Sequence, residues 1–469
     1  MKKYAAIITL LLILTLFTPA AANSGPVYWQ GYPAAEMMTI EKETPLIVES
    51  EELVFDFSQQ YTPTYNLAGK VTATYQMSNP TAEQQAVQMA FPFCGRLQML
   101  DAAEIVIKAD AHELPFELYL GSRLDFADSG AAAAPSNSLT FQDILSAVSR
   151  QQYDADNFSA GEVGRLYRFM LSPTTEQNIN FAVSFSYHAE EISILCHGFN
   201  GFEREGEKVR LTSWCAEPMQ AAIFVLGGEL DFTVQAYTDG ELTDSTDLYT
   251  AEITVEAQQV KPYLLTLSRQ QPGTTAITLL DETQVYNLYA EALDRQFTYN
   301  LGYCAAEELW AQAEQERMLV LLYTVEFPPQ SVREVSVSYV TSGTMDKRET
   351  VSPQYSFTYL LKPAAHWRHF KNLQIRIITP PETPYVVNSS LPLKQTAERE
   401  YSAEFTALPA DDLYFTLYAK EKITAADKAA VKIKRIFAYF PLSVLGLLLL
   451  SIMLRRIFTV KSNTGSRKY

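Results

Sequence analysis

Four cysteines, two acidic loops and a histidine pair are the side chains whose types and spacing point towards chemistry in this sequence. Cys94, Cys196, Cys215 and Cys304 are the cysteines, and four allow three disulfide connectivities. Between Cys196 and Cys215 lies Arg204-Glu205-Gly206-Glu207. A two-residue turn at Glu205 and Gly206 sets Arg204 opposite Glu207, and the same register sets Cys196 opposite Cys215. Directly opposed strand residues have Cα atoms about 4.5 to 5.5 Å apart, within disulfide range. Cys196–Cys215 is therefore the expected bridge, worth roughly 3 kcal/mol in the chain-entropy model, with Cys94 and Cys304 free or tying a later segment back; four reduced, buried thiols are the alternative. Asp239, Glu241, Asp244 and Asp247 ring Gly240 with oxygen ligands of the kind calcium accepts, and Asp154, Asp156 and Glu162 form a second such set. Neither fits the EF-hand loop, so solvated acidic loops are the ordinary reading and calcium the ion to test. His366 and His369 would present two nitrogens to a metal if their stretch were helical; the strand pattern from Leu373 and the core-like Trp367 argue against it. Asp128-Ser129-Gly130 carries the short signature of aspartic proteases, which need two such aspartates, and only one copy is present. Gly-x-Ser-x-Gly, His-Glu-x-x-His, the phosphate loop and the dinucleotide fingerprint are all missing. No catalytic residue and no cofactor other than calcium is therefore expected.

The two ends say where such side chains would work. Lys2 and Lys3 precede an apolar stretch from Ala5 to Phe17, Pro19 breaks it, and Ala20 and Ala22 supply the small residues of a signal-peptidase site after Ala22. Ile436 to Leu454 contains no charge, and as a helix it reaches about 28 Å, close to the hydrocarbon thickness of a bilayer. Lys432, Lys434 and Arg435 flank one side, while Arg455, Arg456, Lys461, Arg467 and Lys468 crowd the other without an acid. The larger cluster is the inside signal. The expected topology is thus a single-pass cell-membrane protein with its N-terminus outside and a cytoplasmic tail from Arg455. Leu391-Pro392-Leu393-Lys394 is the nearest approach to a wall-sorting signal and does not match one.

All 54 acids fall between residues 23 and 431, together with 27 of the 37 bases, so this part carries a net charge of −27. Such a surface repels nucleic acid and anionic lipid. Its strand signal is period-two alternation: Val71, Ala73, Tyr75 and Met77, then Val87, Met89, Phe91 and Phe93 after a turn, read as a hairpin or strand pair. The same alternation recurs at Ile179 to Tyr187, Tyr323 to Phe327, Val335 to Tyr339 and Leu373 to Ile377. With 27 Tyr and 25 Phe the aromatic supply suits strands. Thr140 and Asp143 make a capping-box start before Phe141, Ile144, Leu145 and Val148, and a helical patch in two pieces covers 282–317 with its break at Asn300, Gly302 and Cys304. Tyr-Arg-Phe-Met-Leu-Ser-Pro leading to the strand ending at Tyr187 resembles Tyr-Thr-Val-Glu-Phe-Pro-Pro leading to the strand ending at Tyr339, a faint internal repeat.

The expected fold is therefore mainly β: two β-sandwich-like domains with small helical insertions, plus one C-terminal transmembrane helix. The divisions are a signal peptide at 1–22, a leader at 23–50, a first sandwich at 51–270 with a helical insertion near 140–152, and a linker and helical connector at 271–317. A second sandwich follows at 318–420, then a stalk capped by Asp427 at 421–435, the span at 436–454 and a basic tail at 455–469. The run Asn66-Leu-Ala-Gly-Lys-Val-Thr-Ala-Thr-Tyr-Gln-Met-Ser-Asn-Pro80, followed by Met89-Ala-Phe-Pro-Phe93, resembles the β-sandwich domain named for vault protein and inter-alpha-trypsin inhibitor. That resemblance implies a sandwich often followed by a metal-binding adhesion domain, whose Asp-x-Ser-x-Ser signature is missing here. The chain as a whole also resembles bacterial surface proteins with a signal and an anchor. The role expected from these features is binding or structural, with a protein or an envelope polymer as partner outside the membrane. A membrane-tethered hydrolase or transglycosidase is the alternative.

Overall fold

The computed structural model describes residues 28–430 apart from 30–33, 36, 40–43, 60, 62–65, 101, 125–140, 149–150 and 272–275. The signal at 1–22, the span at Ile436–Leu454, the tail, Asp128-Ser129-Gly130, Thr140 and most of the 271–274 linker lie outside these residues. Among the described residues no helix is long and apolar enough to cross a membrane.

The protein is mainly β, and its described strands form four sheets of ten, eight, five and five strands. The alternating apolar residues are buried as their pattern requires, because in a strand successive side chains point to opposite faces. Val71, Ala73, Tyr75 and Met77 are fully buried, as are Ile179, Phe181, Val183, Val335, Val337, Ile375 and Ile377.

What the alternation does not encode is which sheet a strand joins. The strands Ala68–Asn79 and Gln85–Arg96 do not pair with each other, as a hairpin would: the first lies in the eight-stranded sheet and the second in the ten-stranded one. Each finds a partner far away in sequence. Ala68–Asn79 pairs along twelve residues with Ser331–Ser342, and Gln85–Arg96 along twelve with Glu316–Phe327. Two arches, each carrying the chain from one sheet to the other, thus lie side by side. Aromatics of the two sheets meet across the gap, Phe91 of one arch on Tyr339 of the other with ring centroids 5.1 Å apart, and Phe55 on Phe415 from neighbouring strands likewise at 5.1 Å. The expected division at 271–317 is corrected by this pairing: segments on its two sides share both sheets and one continuous core.

The two five-stranded sheets come from 163–259, with Tyr303–Ala305 added at one edge. They enclose a core of their own, where Phe169 meets Phe232 and Phe181 meets Tyr249. Val163–Pro173 and Ile179–Ser186 again lie in different sheets, so both halves of the faint internal repeat are strand, turn, opposed strand.

The helical expectations hold in outline. Phe141–Ala147 lays Ile144 and Ala147 on the outer face of the ten-stranded sheet, against Cys94, Tyr119 and Met318. Glu282–Tyr299 is capped by Asp281, whose carboxylate accepts from the Gln284 amide at 2.8 Å. It stops where Leu301 and Gly302 take positive φ, and a short helix follows at Ala306–Trp310. Residues 425–430 are helical, opened by a reciprocal box in which Thr424 and Asp427 accept from each other's amides.

Candidate functional site

A polar cleft of about 710 Å³ opens at the edge of the ten-stranded sheet, within the range of small-molecule sites. Its floor is the paired ends of Glu117–Arg123 and Glu316–Phe327. Helix Glu282–Tyr299 forms one wall, and helix Phe141–Ala147 with the loop 151–154 forms the other.

Each wall is fixed by hydrogen bonds rather than by apolar packing alone. Gln284, 5% exposed, accepts from the Leu120 amide at 3.1 Å, which ties the helix to the floor strand. Asn287 accepts from the Tyr153 amide at 2.8 Å and donates to the Gln151 carbonyl at 2.9 Å. About two turns further along, Asp294 receives the Tyr153 hydroxyl at 2.9 Å, the Asp156 amide at 3.0 Å, and both the amide and side chain of Asn157 at 2.9 and 2.7 Å. Burial of Asp294 works against its charge, but the donors from Asp156, Asn157 and Tyr153 outweigh it and hold the carboxyl below its usual range. The Tyr153 phenol is pushed up to about 12, by burial and by the carboxylate it serves.

Three arginines from three elements approach the floor. Arg317 opens the strand Glu316–Phe327 and is 6% exposed. Arg123 stands opposite it in the paired strand, and the register slips between Arg317 and Leu319, the kind of bulge that re-aims side chains beside functional sites. Arg295 reaches in from the helix, where it pairs with Glu291 one turn back at 3.1 Å. Asp143 and Asp154 complete the charged lining. The arrangement can hold a small polar molecule among fixed donors and acceptors.

The residues expected to do chemistry lie elsewhere. Cys196 and Cys215 belong to different sheets, Cys196 beside Ile223 and Cys215 beside Ile179, so the expected bridge does not form. The register fails at two points. The strand from Ser193 ends at His197, Gly198 takes a φ of +83°, and the chain crosses to the other sheet before Gly201. The turn itself falls one residue later than expected: Gly206, with φ +62°, and Glu207 are its central pair and Glu205 faces Lys208. A glycine at the first central position is what a II′ turn demands. All four cysteines are buried and unpaired. Burial pushes the Cys94 and Cys196 thiols up to about 12.

Asp239 folds back onto its own loop, where its carboxylate accepts from the Thr243 amide and hydroxyl and the Asp244 amide. Glu241, Asp244 and Asp247 do not gather around it, nor do Asp154, Asp156 and Glu162 gather with one another. Among the described residues no group of three His, Cys, Asp or Glu side chains is placed to hold a metal ion, so neither acidic set is gathered into a ligand cluster here. Trp367 is a core anchor as expected, 4% exposed and donating from Nε1 to the Met37 carbonyl at 2.9 Å. His369 lies outside any helix.

No family model matches this chain, and no curated protein matches it. Among solved structures, a candidate nutrient binding protein from Legionella pneumophila is similar at a TM-score of 0.31 and 11% identity, over 84% of this chain and 73% of that one. Infectious bursal virus T=1 particles give a TM-score of 0.08 at 9% identity, over 70% of this chain and 83% of that one. Neither score shows a shared fold.

Proposed function

We propose that this chain is a non-catalytic binding protein, exported by residues 1–22, held in the cell membrane by Ile436–Leu454, and using the polar cleft to take a small fragment of an envelope polymer. The observation that carries this reading is the preorganised lining. Gln284, Asn287 and Asp294 fasten the helix to the floor strand and to the facing loop through seven bonds between 2.7 and 3.1 Å. A cleft fixed before its ligand arrives spends less free energy on ordering when it binds. Amide and hydroxyl groups suit a hydroxyl-rich molecule better than an apolar one. The acidic body, at −27 between residues 23 and 431, suits a soluble outward-facing part.

The test uses the full chain in detergent, incubated with soluble envelope saccharide fragments and compared with Ser146→Trp, which fills the cleft from the solvent-facing side of helix Phe141–Ala147. The expected result is saturable retention by the wild type and its loss in the variant. Equal retention by both would place binding elsewhere, and release of shortened products would favour the tethered hydrolase or transglycosidase. Topology is tested separately: protease outside cells freed of any outer wall should leave only a small fragment containing Ile436 to Tyr469, whereas a protected body would reverse the orientation.

A further inference from the structure

We infer that the cleft takes its ligand by an oxyanion, a carboxylate or phosphate group carried on an otherwise neutral polar molecule, and that Arg317, flanked by Arg123 and Arg295, is the group that receives it. The inference rests on the cleft being the binding site and adds the chemistry of what it binds.

Arg317 is placed where a cation is least at home. It is 6% exposed, and its Nε has no hydrogen-bond partner. A guanidinium offers five donors in a fixed fork, yet the bond found for this one runs from Nη2 to the Gln312 carbonyl at 3.5 Å, at the outer limit of such a contact. Among the described residues no carboxylate lies within ion-pair distance of it. Removing a charge from water without pairing it is one of the costliest arrangements in a protein interior. A site whose cleft-lining donors are left unspent is waiting for an acceptor.

The neighbours make the need stronger. Arg123 is directly opposite Arg317 in the paired strands, where like charges repel. Arg295 adds a third positive charge from the helix. The nearby acid, Glu291, has its carboxylate bonded to Arg295. The other contacts of these arginines are to neutral amides, Arg123 to Gln315 at 2.9 Å and Arg295 to Gln312 at 3.3 Å. Amides hold a guanidinium in place without cancelling its charge. Burial above all, with the two arginines adding and Glu291 opposing, brings the Arg317 pKa down to about 10, so it stays a cation at neutral pH. Asp143 and Asp154 in the same lining would repel a second negative group, which favours one anionic group on a neutral body. Only 27 bases accompany 54 acids between residues 23 and 431; three of them converge at this one floor.

Inorganic phosphate is the probe. Full-length protein in detergent is dialysed to equilibrium against radiolabelled phosphate at low ionic strength, and thermal unfolding is followed with and without phosphate. The expected result is saturable uptake at one site and a melting temperature that rises with phosphate. Arg317→Met should weaken uptake at least tenfold and abolish the rise, while its own melting temperature without phosphate stays at or above that of the wild type, because an unpaired buried charge has been replaced by an apolar chain. Arg123→Gln, at the open end of the floor, should weaken uptake several-fold without changing the fold. Uptake that does not saturate, or that survives in Arg317→Met, would overturn the inference. If phosphate fails but a neutral saccharide is retained and lost in Ser146→Trp, the cleft stands as the binding site and its oxyanion chemistry falls. If phosphate binds through Arg317 and no saccharide does, the oxyanion chemistry of the cleft stands and the envelope-polymer reading falls.

Discussion

Asp294 is the side chain on which the cleft wall depends most. It gathers four donors from Tyr153, Asp156 and Asn157 onto a helix residue that is 5% exposed. Asp294→Ala would leave the part-buried donors of Tyr153, Asp156 and Asn157 without their acceptor, at about 1 to 3 kcal/mol for a group that water does not reach and less for one that it does. A total loss near 3 kcal/mol is expected in urea unfolding at pH 7, with loosening of 151–157 visible as faster amide exchange there. The pH dependence follows from the lowered carboxyl. In the unfolded chain an aspartate titrates near 3.9 and in the folded one below that; the stabilisation is present above about pH 4 and is lost as pH falls through the folded value. Asp294→Asn should therefore be less stable than the wild type at pH 7 and should lose less on going from pH 5 to pH 3. The cysteines give a second expectation. With all four buried and Cys94 and Cys196 pushed up to about 12, they should resist alkylation in the native protein and all react in denaturant without prior reduction. A Cys196–Cys215 peptide found without reduction would show that the turn register described above is wrong. At this scale the sequence did hold a readable signal for Arg317, which lies in phase with Leu319, Leu321, Tyr323, Val325 and Phe327, all buried. A charge in register with a core face marks a buried charge. Asp294 likewise falls in the stripe of Tyr286, Ala290, Leu293 and Phe297 on its helix. Neither marks its own partner, because the groups that meet them come from strands and loops distant in sequence.

Among the elements, strands and helices were legible wherever one face is buried and the other wet. Where both faces are covered the alternation fades, as in Glu316–Phe327, where Leu319 and Leu321 face the inner core and Met318, Val320 and Leu322 lie in the outer cluster with helix residue Ile144. Pairing was not legible at all. A hairpin and an arch share one hydrophobic pattern and differ only in how the turn directs the second strand. Gly198 is one place where that distinction is made: a Cβ there would sit 2.5 Å from the Gln220 carbonyl oxygen, on a backbone with φ +83°. Gly198→Ala should destabilise by roughly 2 kcal/mol or more, combining left-handed backbone strain with a contact that has no flexible atom to yield. Thermal unfolding measures this, and Gly206→Ala is the control. It shares the positive φ, but nothing lies near its Cβ position, so it should be clearly milder. If the two variants melt alike, close approach at Gly198 is not what holds the crossing between sheets.

For the whole molecule, the consequence of the interleaved arches is that neither half of the chain can close its sheets alone. Ala68–Asn79 and Gln85–Arg96 each owe a full twelve-residue ladder to strands beyond residue 315. Glu117–Arg123 pairs with Glu316–Phe327, and Ile47–Asp56 lies beside Leu373–Ile378. A fragment of residues 44–270 would therefore present long, flat, unpaired edges with apolar inner faces, the arrangement that drives edge-to-edge aggregation. Expressed by itself, it should be insoluble or should lack cooperative melting in the outer sheets, while the sandwich of 163–259, which has its own core, retains protected amides. Co-expression with 276–430 should restore one soluble complex, because the missing strands then arrive from the second fragment and the break falls within the linker. The pairs that must find each other, such as Met77 with Arg333, are more than 250 positions apart in the sequence, and pairing over such separations slows folding. Refolding of the intact chain should accordingly be slow, with the 163–259 sandwich protected first in pulsed hydrogen exchange and the outer sheets later. A fragment 44–270 that melts cooperatively with its outer strands protected would mean that those strands can pair without the C-terminal arch, and the interleaved topology would then have to be abandoned.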